Sequence, residues 1–158
     1  MGKVILICGR LCCGKSTLAR KLADERGAVI LSCDEVSLSL FPEGLGENHD
    51  AMTDRIKGYL LRKAVELLTA GVDVILEWGF WTRAWRDDTK KYFSKRGFEC
   101  ELYYLSPCEN EWKMRIEKRN EAIINGDSID YYVDEGLFQK AISLFEEPQA
   151  DEGFIRIQ

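Results

Sequence analysis

Residues 9–16 carry the feature that constrains the fold of this chain most strongly, the spacing G-x-x-x-x-G-K-S. A run of five apolar residues, Val4–Cys8, precedes this segment, and a helical pattern begins near Lys15. A strand, a glycine-bearing loop and a helix in that order are the context of a phosphate-binding loop. The alternative interpretation is a glycine turn that joins a strand to a helix and binds nothing. The matched context favours a nucleotide-binding α/β protein.

The residue types of this loop suit a triphosphate and a divalent metal ion. Gly9 and Gly14 let the main chain approach phosphate oxygens, while successive N–H groups and the helix N-terminus attract the anion. Lys15 is expected to reach the β- and γ-phosphates, and the Ser16 hydroxyl is expected to ligate Mg²⁺. We therefore expect ATP and Mg²⁺ as cofactors, with the nucleotide bound by Gly9, Arg10, Leu11, Cys12, Cys13, Gly14, Lys15, Ser16 and Thr17.

Length and charge limit the other classes to which the chain could belong. Its 158 residues suit a single domain over 1–158, and the net charge of −5 argues against a general nucleic-acid binder. We expect no signal peptide and no membrane span, because no apolar run is long enough. The six cysteines include no CxxC pair, so we expect reduced thiols and a cytoplasmic protein. The expected assembly is a monomer or a homodimer.

Apolar strands alternate with helical patterns along the chain. The segment Ser106–Glu109 predicts a helix start with Ser106 as the N-cap and Pro107 in the first helical position. Strands separated by helices favour a parallel sheet covered on both faces, with ligands at the carboxyl ends of the strands. The predicted strands are 4–8, 28–32, 72–76, 98–105 and 153–157, and the predicted helices are 15–26, 48–70, 82–96, 107–124 and 134–145.

Three carboxylates are expected at the strand ends. Asp34 and Glu35 follow the second strand, where both could contact the substrate and Asp34 could accept a proton from its hydroxyl. The alternative for Asp34 is a helix N-cap. Glu77 ends the third strand, where it could contact the substrate, hold the hydration shell of a metal ion or pair with an arginine. The expected metal ligand is Ser16, with Asp34 and Glu77 acting through water.

A cluster of aromatic residues and one arginine follows the third strand. Trp78, Phe80 and Trp81 could form the wall of an acceptor pocket, or they could pack in the core beneath the next helix. Arg83 in the first turn of that helix opposes the helix dipole, which favours a role in binding an anionic part of the substrate. The rest of this basic helix, including Arg86, is interpreted as a solvated face.

Two arginines are candidates for the compensation of negative charge. Arg115 and Arg119 are four residues apart and therefore share one helix face. Planar guanidinium groups stabilise the charge that spreads over a phosphoryl group during its transfer. Both are therefore predicted to be catalytic together with Lys15 and Asp34, and Arg119 is also a candidate nucleotide ligand. The alternative is a solvated helix face with the local partners Glu111, Glu117 and Glu121.

These segments resemble the small P-loop kinases of the nucleoside monophosphate kinase-like fold, and above all the compact ATP-binding AAA domain proteins described as predicted kinases. Polynucleotide 5′-kinase, chloramphenicol phosphotransferase, gluconate kinase and zeta-toxin kinases are related families. The resemblance implies a three-layer P-loop NTPase with a five-stranded parallel sheet in the order 2-3-1-4-5. It spans nearly the whole chain and rests on Gly9–Thr17, Ser32–Glu35, Val74–Glu77, Arg83, Arg115 and Arg119.

The resemblance also implies roles for particular segments. It implies a proton acceptor at Asp34 and a short helical lid around 113–130. Gly79–Arg83 is similar to the Asp-Gly-Phe-Pro-Arg segment with which nucleoside monophosphate kinases hold the acceptor, although Trp78 replaces the Asp and Trp81 replaces the Pro.

The sequence thus predicts an ATP- and Mg²⁺-dependent phosphotransferase that acts on a hydroxyl group of a small molecule. One alternative is a kinase for polynucleotide ends, nucleosides or nucleotides. A second alternative is a nucleotide-binding regulatory ATPase that has no acceptor.

Overall fold

Five short apolar strands form one sheet in which every neighbouring pair is parallel. The computed structural model of the protein describes residues 1–130 and 132–158. Numbered along the chain, the strands lie side by side in the order 2-3-1-4-5, which confirms the order that the family resemblance implies. The strands are β1 (Val4–Cys8), β2 (Val29–Leu31), β3 (Val74–Gly79), β4 (Cys100–Leu105) and β5 (Ile155–Ile157).

Helices cover both faces of the sheet because side chains alternate along the central strand. Val4, Leu6 and Cys8 pack in one buried cluster with residues of the third and fourth helices, while Ile5 and Ile7 pack in another with the first helix. The three-layer α/β architecture is therefore confirmed. The helices are α1 (Lys15–Arg26), α2 (Cys33–Leu40), α3 (His49–Thr69), α4 (Arg83–Ser94), α5 (Glu109–Ile124) and α6 (Glu135–Leu144).

Some element boundaries differ from the predicted ones. Strand β3 runs to Gly79 because Gly79 pairs with Cys8 of β1, so Glu77 lies inside the strand and Trp78 also belongs to it. The predicted N-cap at Ser106 is wrong, since Cys108 precedes the first turn of α5. The Ser106 amide instead donates a hydrogen bond to the Ile157 carbonyl, 3.1 Å away, and so extends the pairing of β4 with β5.

Two further expectations concern cysteines and membranes. All six cysteines are free thiols in the structure. Among the described residues, no helix combines the length and the apolar character that crossing a membrane requires.

The predicted solvated face of α4 is wrong for Arg86, whose side chain is fully buried. Its guanidinium donates two hydrogen bonds to the Glu152 carboxylate, at 2.6 and 3.0 Å, and one to the Phe80 carbonyl at 2.9 Å. It also lies 3.9 Å from the Cys8 sulfur. The sequence pattern missed this pair because its two residues are 66 positions apart. Arg86 thereby joins the carboxyl ends of β1 and β3 to the 3₁₀ turn Ala150–Glu152 that precedes β5.

We expect Glu152→Gln to lower the free energy of unfolding by about 3–5 kcal/mol at pH 7, because it leaves the Arg86 charge buried without its partner. The Arg86 hydrogen bonds hold the pKa of the Glu152 carboxyl below its usual value. The stabilisation is therefore complete above the unfolded pKa of about 4.3 and is lost as the pH falls through the lower folded value. Urea denaturation at pH 7 and below pH 4 measures this effect. The difference in the free energy of unfolding between Glu152→Gln and the original protein should be smaller below pH 4 than at pH 7.

Asp151→Asn is the matched control for this prediction. Asp151 lies beside Glu152 in the same 3₁₀ turn, but its ion pair with Arg83 of α4 is exposed to solvent. Exposed ion pairs contribute little to stability. An equal loss of stability in both variants would contradict the importance of the buried pair.

Candidate active site

The loop between β1 and α1 leaves no room for side chains at the two glycines of the G-x-x-x-x-G-K-S segment, Gly9 and Gly14. A Cβ on Gly9 would collide with the Cys13 sulfur, and a Cβ on Gly14 would lie 2.5 Å from the Arg115 Nη1. Gly14 has a φ of 99°, and Cys12 also adopts a left-handed conformation with a φ of 57°. The main chain of the loop therefore curls tightly in the manner that exposes amide groups to an anion.

Helix α1 begins without the side-chain cap that several other helices of this protein have. Its N-cap is Gly14, no side chain accepts a hydrogen bond from its first turn, and that turn contains no acidic residue. By contrast Ser32, Thr82 and Asp134 cap α2, α4 and α6 through their side chains. The first amides and the positive dipole end of α1 are thus left for an anionic ligand such as a phosphate.

Lys15 and Trp112 define the two sides of the loop. The Lys15 ammonium donates hydrogen bonds to the carbonyls of Arg10 and Gly9, at 2.7 and 3.2 Å, which holds it within the curl of the loop. On the other side, the fully buried Trp112 of α5 donates from Nε1 to the Leu11 carbonyl at 2.6 Å. The sequence reasoning missed Trp112, although its spacing of four from the buried Ile116 marks the inward face of α5.

The Arg10 side chain does not lie where the predicted nucleotide contact requires it. The Arg10 guanidinium lies 3.6 Å from the centroid of the Trp112 ring and 3.5 Å from the Glu109 carboxylate. This stacking turns the side chain away from the cleft described below, so only the main chain of Arg10 faces the loop interior through its bond with Lys15.

Arg115 and Arg119 both contact the loop, as their common helix face requires. Arg115 donates from Nη1 to the Cys13 carbonyl at 2.9 Å, and Glu111 holds its other nitrogen at 2.6 Å. Arg119 Nη1 lies 3.2 Å from the Cys12 sulfur. The Arg119 Nε is a buried donor with no hydrogen-bond partner among the described residues. Two guanidinium groups thus supplement Lys15 around the loop, and one of them has a donor to spare for a ligand.

Ser16 and Glu77 meet at the end of β3. The Ser16 hydroxyl donates a hydrogen bond to Glu77 Oε1 at 2.6 Å. Burial raises the pKa of the Glu77 carboxyl above its usual value, although the Ser16 hydrogen bond and the Lys15 charge oppose that effect. A hydroxyl and a carboxylate oxygen beside a phosphate-binding loop are the hard donors that Mg²⁺ prefers. No cluster of three or more His, Cys, Asp or Glu in the described ranges could hold a metal alone, so phosphate and water oxygens would complete its shell.

Asp34 lies in the first turn of α2, next to Glu35. The alternative that Asp34 caps this helix is wrong, because the Ser32 hydroxyl takes that place by accepting from the Glu35 amide at 3.2 Å. Asp34 and Glu35 both line the cleft that also contains Lys15, Ser16 and Glu77. The Asp34 carboxylate therefore remains available at the favourable end of the helix dipole.

The aromatic cluster after β3 is divided between the cleft and the core. Trp78 and Trp81 line the cleft. The substrate role expected for Phe80 is corrected, because its side chain is 1% exposed in the core beneath α4 and stacks on Trp78. The anion-binding role expected for Arg83 is also corrected, since its guanidinium pairs with Asp151 and Asp87 outside the cleft.

All these cleft residues border one continuous cavity of about 1560 Å³. A typical pocket for one small ligand measures roughly 300–1,000 Å³. The cleft is therefore large enough for a nucleotide and a second ligand side by side. Sequence reasoning missed Lys57 of α3 and Trp85 of α4 in its wall, because no local pattern links residues from two different helices.

Comparisons with known proteins agree with this geometry. A comparison with curated protein sequences finds no significant match. A sugar kinase from Janibacter sp. HTCC2649 is 19% identical, with a TM-score of 0.66, over 99% of this chain and 85% of that one. The Mycobacterium tuberculosis APS kinase CysC, in complex with AMPPNP and APS, is 19% identical with a TM-score of 0.63, over 98% and 88% of the two chains. Kti12 from Chaetomium thermophilum, in complex with ADP-AlF3, is 12% identical with a TM-score of 0.72, again over 98% and 88%.

At these identities the solved structures establish a shared fold. The family model that matches is the AAA domain model AAA_33, over residues 4–148 and hence over most of the chain. The chain belongs to this AAA domain family and has the fold of the small P-loop kinases.

Proposed function

We propose that the protein is a kinase that transfers the γ-phosphate of ATP, with Mg²⁺, to a hydroxyl group of a small molecule. One observation carries the proposal: the loop that holds Lys15 opens into the same cleft as the Asp34 carboxylate. The kinases of similar fold support it, because two of them are named for small-molecule acceptors. A nucleotide-binding switch has no need of a cleft with room for a second ligand.

On the phosphate side, the loop amides and the α1 N-terminus would bind the β- and γ-phosphates of the nucleotide. Lys15, Arg115 and Arg119 would then face the charge that spreads over the phosphoryl group in the transition state. Ser16 would ligate the metal directly and Glu77 would orient it, either directly or through water. The bound metal would neutralise charge on the phosphate oxygens.

On the acceptor side, Asp34 would orient the accepting hydroxyl and take its proton as the new phosphate ester bond forms. The exposed Asp34 carboxylate has no hydrogen-bond partner among the described residues. It is therefore free to accept a hydrogen bond from the substrate hydroxyl. Trp78 and Trp81 would form the apolar wall against which the acceptor rests.

We expect Lys15→Ala to lower the rate of phosphoryl transfer by about 100-fold or more, because a preorganised cation is lost from the transition state. The measurement is steady-state formation of phosphorylated product in a pooled acceptor mixture. Lys21→Ala is the control, because Lys21 lies on the same helix but in an exposed pair with Glu25. A Lys15→Ala protein that is folded and retains full activity would refute the role of this residue.

We expect Asp34→Asn to lower transfer by about 10²–10⁴-fold while ATP affinity stays unchanged, because an amide cannot act as the general base. Calorimetric titration with ATP and Mg²⁺ measures binding separately from turnover. Ser32→Ala is the informative comparison. It removes the cap of the same helix, so it should cost about 1 kcal/mol of stability and leave transfer largely intact. Equal losses of ATP binding and transfer in Asp34→Asn would instead indicate a structural role.

A further inference from the structure

The cleft has two halves of different charge. The phosphate half consists of the loop, α1 and α5, and it supplies the cations Lys15, Arg20, Arg115, Lys118 and Arg119. The acceptor half consists of α2, α3, the end of β3, α4 and α6. In that half α2 and α3 contribute four carboxylates and a single ammonium to the cleft wall, namely Asp34, Glu35, Asp50, Asp54 and Lys57.

The ammonium of Lys57 is already engaged within the protein. Its Nζ lies 3.6 Å from the centroid of the Trp85 ring, in a cation–π contact. Burial lowers the pKa of Lys57 even though the charges of Cys33, Asp54, Asp34 and Asp50 oppose that effect. The Lys57 ammonium is therefore held against Trp85 within the protein. The four carboxylates of α2 and α3 leave this part of the cleft wall with a net negative charge.

The other cations near the acceptor half do not change its sign. The guanidinium of Arg83 forms two hydrogen bonds to Asp151, at 2.5 and 3.1 Å, and one to Asp87 at 3.3 Å, outside the cleft. Lys140 of α6 is a single exposed ammonium that lines the cleft, and the Asp134 carboxylate lines it as well. Recognition of a phosphate, sulfate or carboxylate group normally uses a free guanidinium or a focused cluster of cations. The described residues of this half offer neither.

The same wall is suited to a different chemistry. The indole rings of Trp78, Trp81 and Trp85 line it, and flat apolar rings stack well on the faces of sugars and other rings. The carboxylates of Asp34 and Asp54 can only accept hydrogen bonds, so they match hydroxyl and ammonium donors. An acceptor that carries an anionic group would meet like charges there without a compensating partner.

We infer that the acceptor is a polyhydroxylated ring compound without phosphate, sulfate or carboxylate groups, in uncharged or amine-bearing form. This inference rests on the proposed kinase function and specifies its substrate class. It separates a sugar or cyclitol, with or without amino groups, from nucleotides, sugar phosphates and polynucleotide ends.

A panel of acceptors matched by ring and varied in charge tests the inference. The protein with ATP and Mg²⁺ is offered glucose, glucosamine and glucose 6-phosphate, then inositol, an aminocyclitol and an inositol phosphate, then a nucleoside monophosphate and a 5′-hydroxyl oligonucleotide. Mass spectrometry detects the gain of one phosphate, with a pooled metabolite extract as a further arm. We expect phosphorylated products from the uncharged and the amine-bearing acceptors. Their kcat/KM should be at least tenfold higher than that of the phosphate-bearing acceptor with the same ring.

The remaining outcomes distinguish two kinds of failure. Preferred phosphorylation of a phosphate-bearing, carboxylate-bearing or oligonucleotide acceptor would overturn the inference and leave the kinase function standing. Absence of any phosphorylated product from the panel and the extract, with active ATP hydrolysis, would overturn the kinase function and this inference with it.

A pair of variants tests the carboxylates directly. We expect Asp54→Asn to raise KM for the preferred acceptor about tenfold, because a charged hydrogen-bond acceptor is lost, while KM for ATP stays unchanged. Asp88→Asn on α4 is the control, since Asp88 is exposed and lies outside the cleft wall. An equal effect of Asp54→Asn on both KM values, or a lower acceptor KM, would contradict the inference.

Discussion

The buried ion pair between Arg86 and Glu152 is the interaction on which the active edge of the sheet depends. A guanidinium that is fully removed from water is tolerable only when its donors are satisfied, and here a carboxylate and the Phe80 carbonyl satisfy them. Phe80 has a φ of 47°, a conformation that costs energy and persists only where neighbours enforce it. Its carbonyl also accepts from the Cys8 thiol at 3.3 Å. The last residue of β1, the turn after β3 and the turn before β5 are therefore held as one unit.

That unit determines the position of the phosphate-binding loop, which begins one residue after Cys8. The Gly9 amide donates to the Gly79 carbonyl at 3.1 Å, so the loop starts from a point fixed by β3. Trp112 and Arg115 of α5 then hold the far side of the loop through the carbonyls of Leu11 and Cys13. The loop amides are thus preorganised before a ligand arrives, which is the arrangement that electrostatic stabilisation requires.

Local sequence signals predicted the parts of the protein that depend on neighbouring residues. The loop spacing, the strand order implied by the family resemblance and the shared face of Arg115 and Arg119 all agree with the structure. The errors concern residues whose environment is set far along the chain. Nothing near Arg86 in the sequence reveals its partner Glu152, and nothing near Ser106 reveals that its amide pairs with Ile157 instead of beginning a helix. In the same way, the distant Asp151 holds the Arg83 guanidinium outside the cleft.

In the proposed mechanism, the opposite charges of the two cleft halves serve different parts of the reaction. A transferring phosphoryl group needs cations on one side, while the accepting hydroxyl needs a carboxylate that can take its proton on the other. The carboxylates around Asp34 repel an acceptor that is itself anionic. Here Arg83 of α4 is paired with Asp87 and Asp151 outside the cleft wall. In the proposed mechanism, the same group of carboxylates therefore takes the proton of the accepting hydroxyl and disfavours an anionic acceptor.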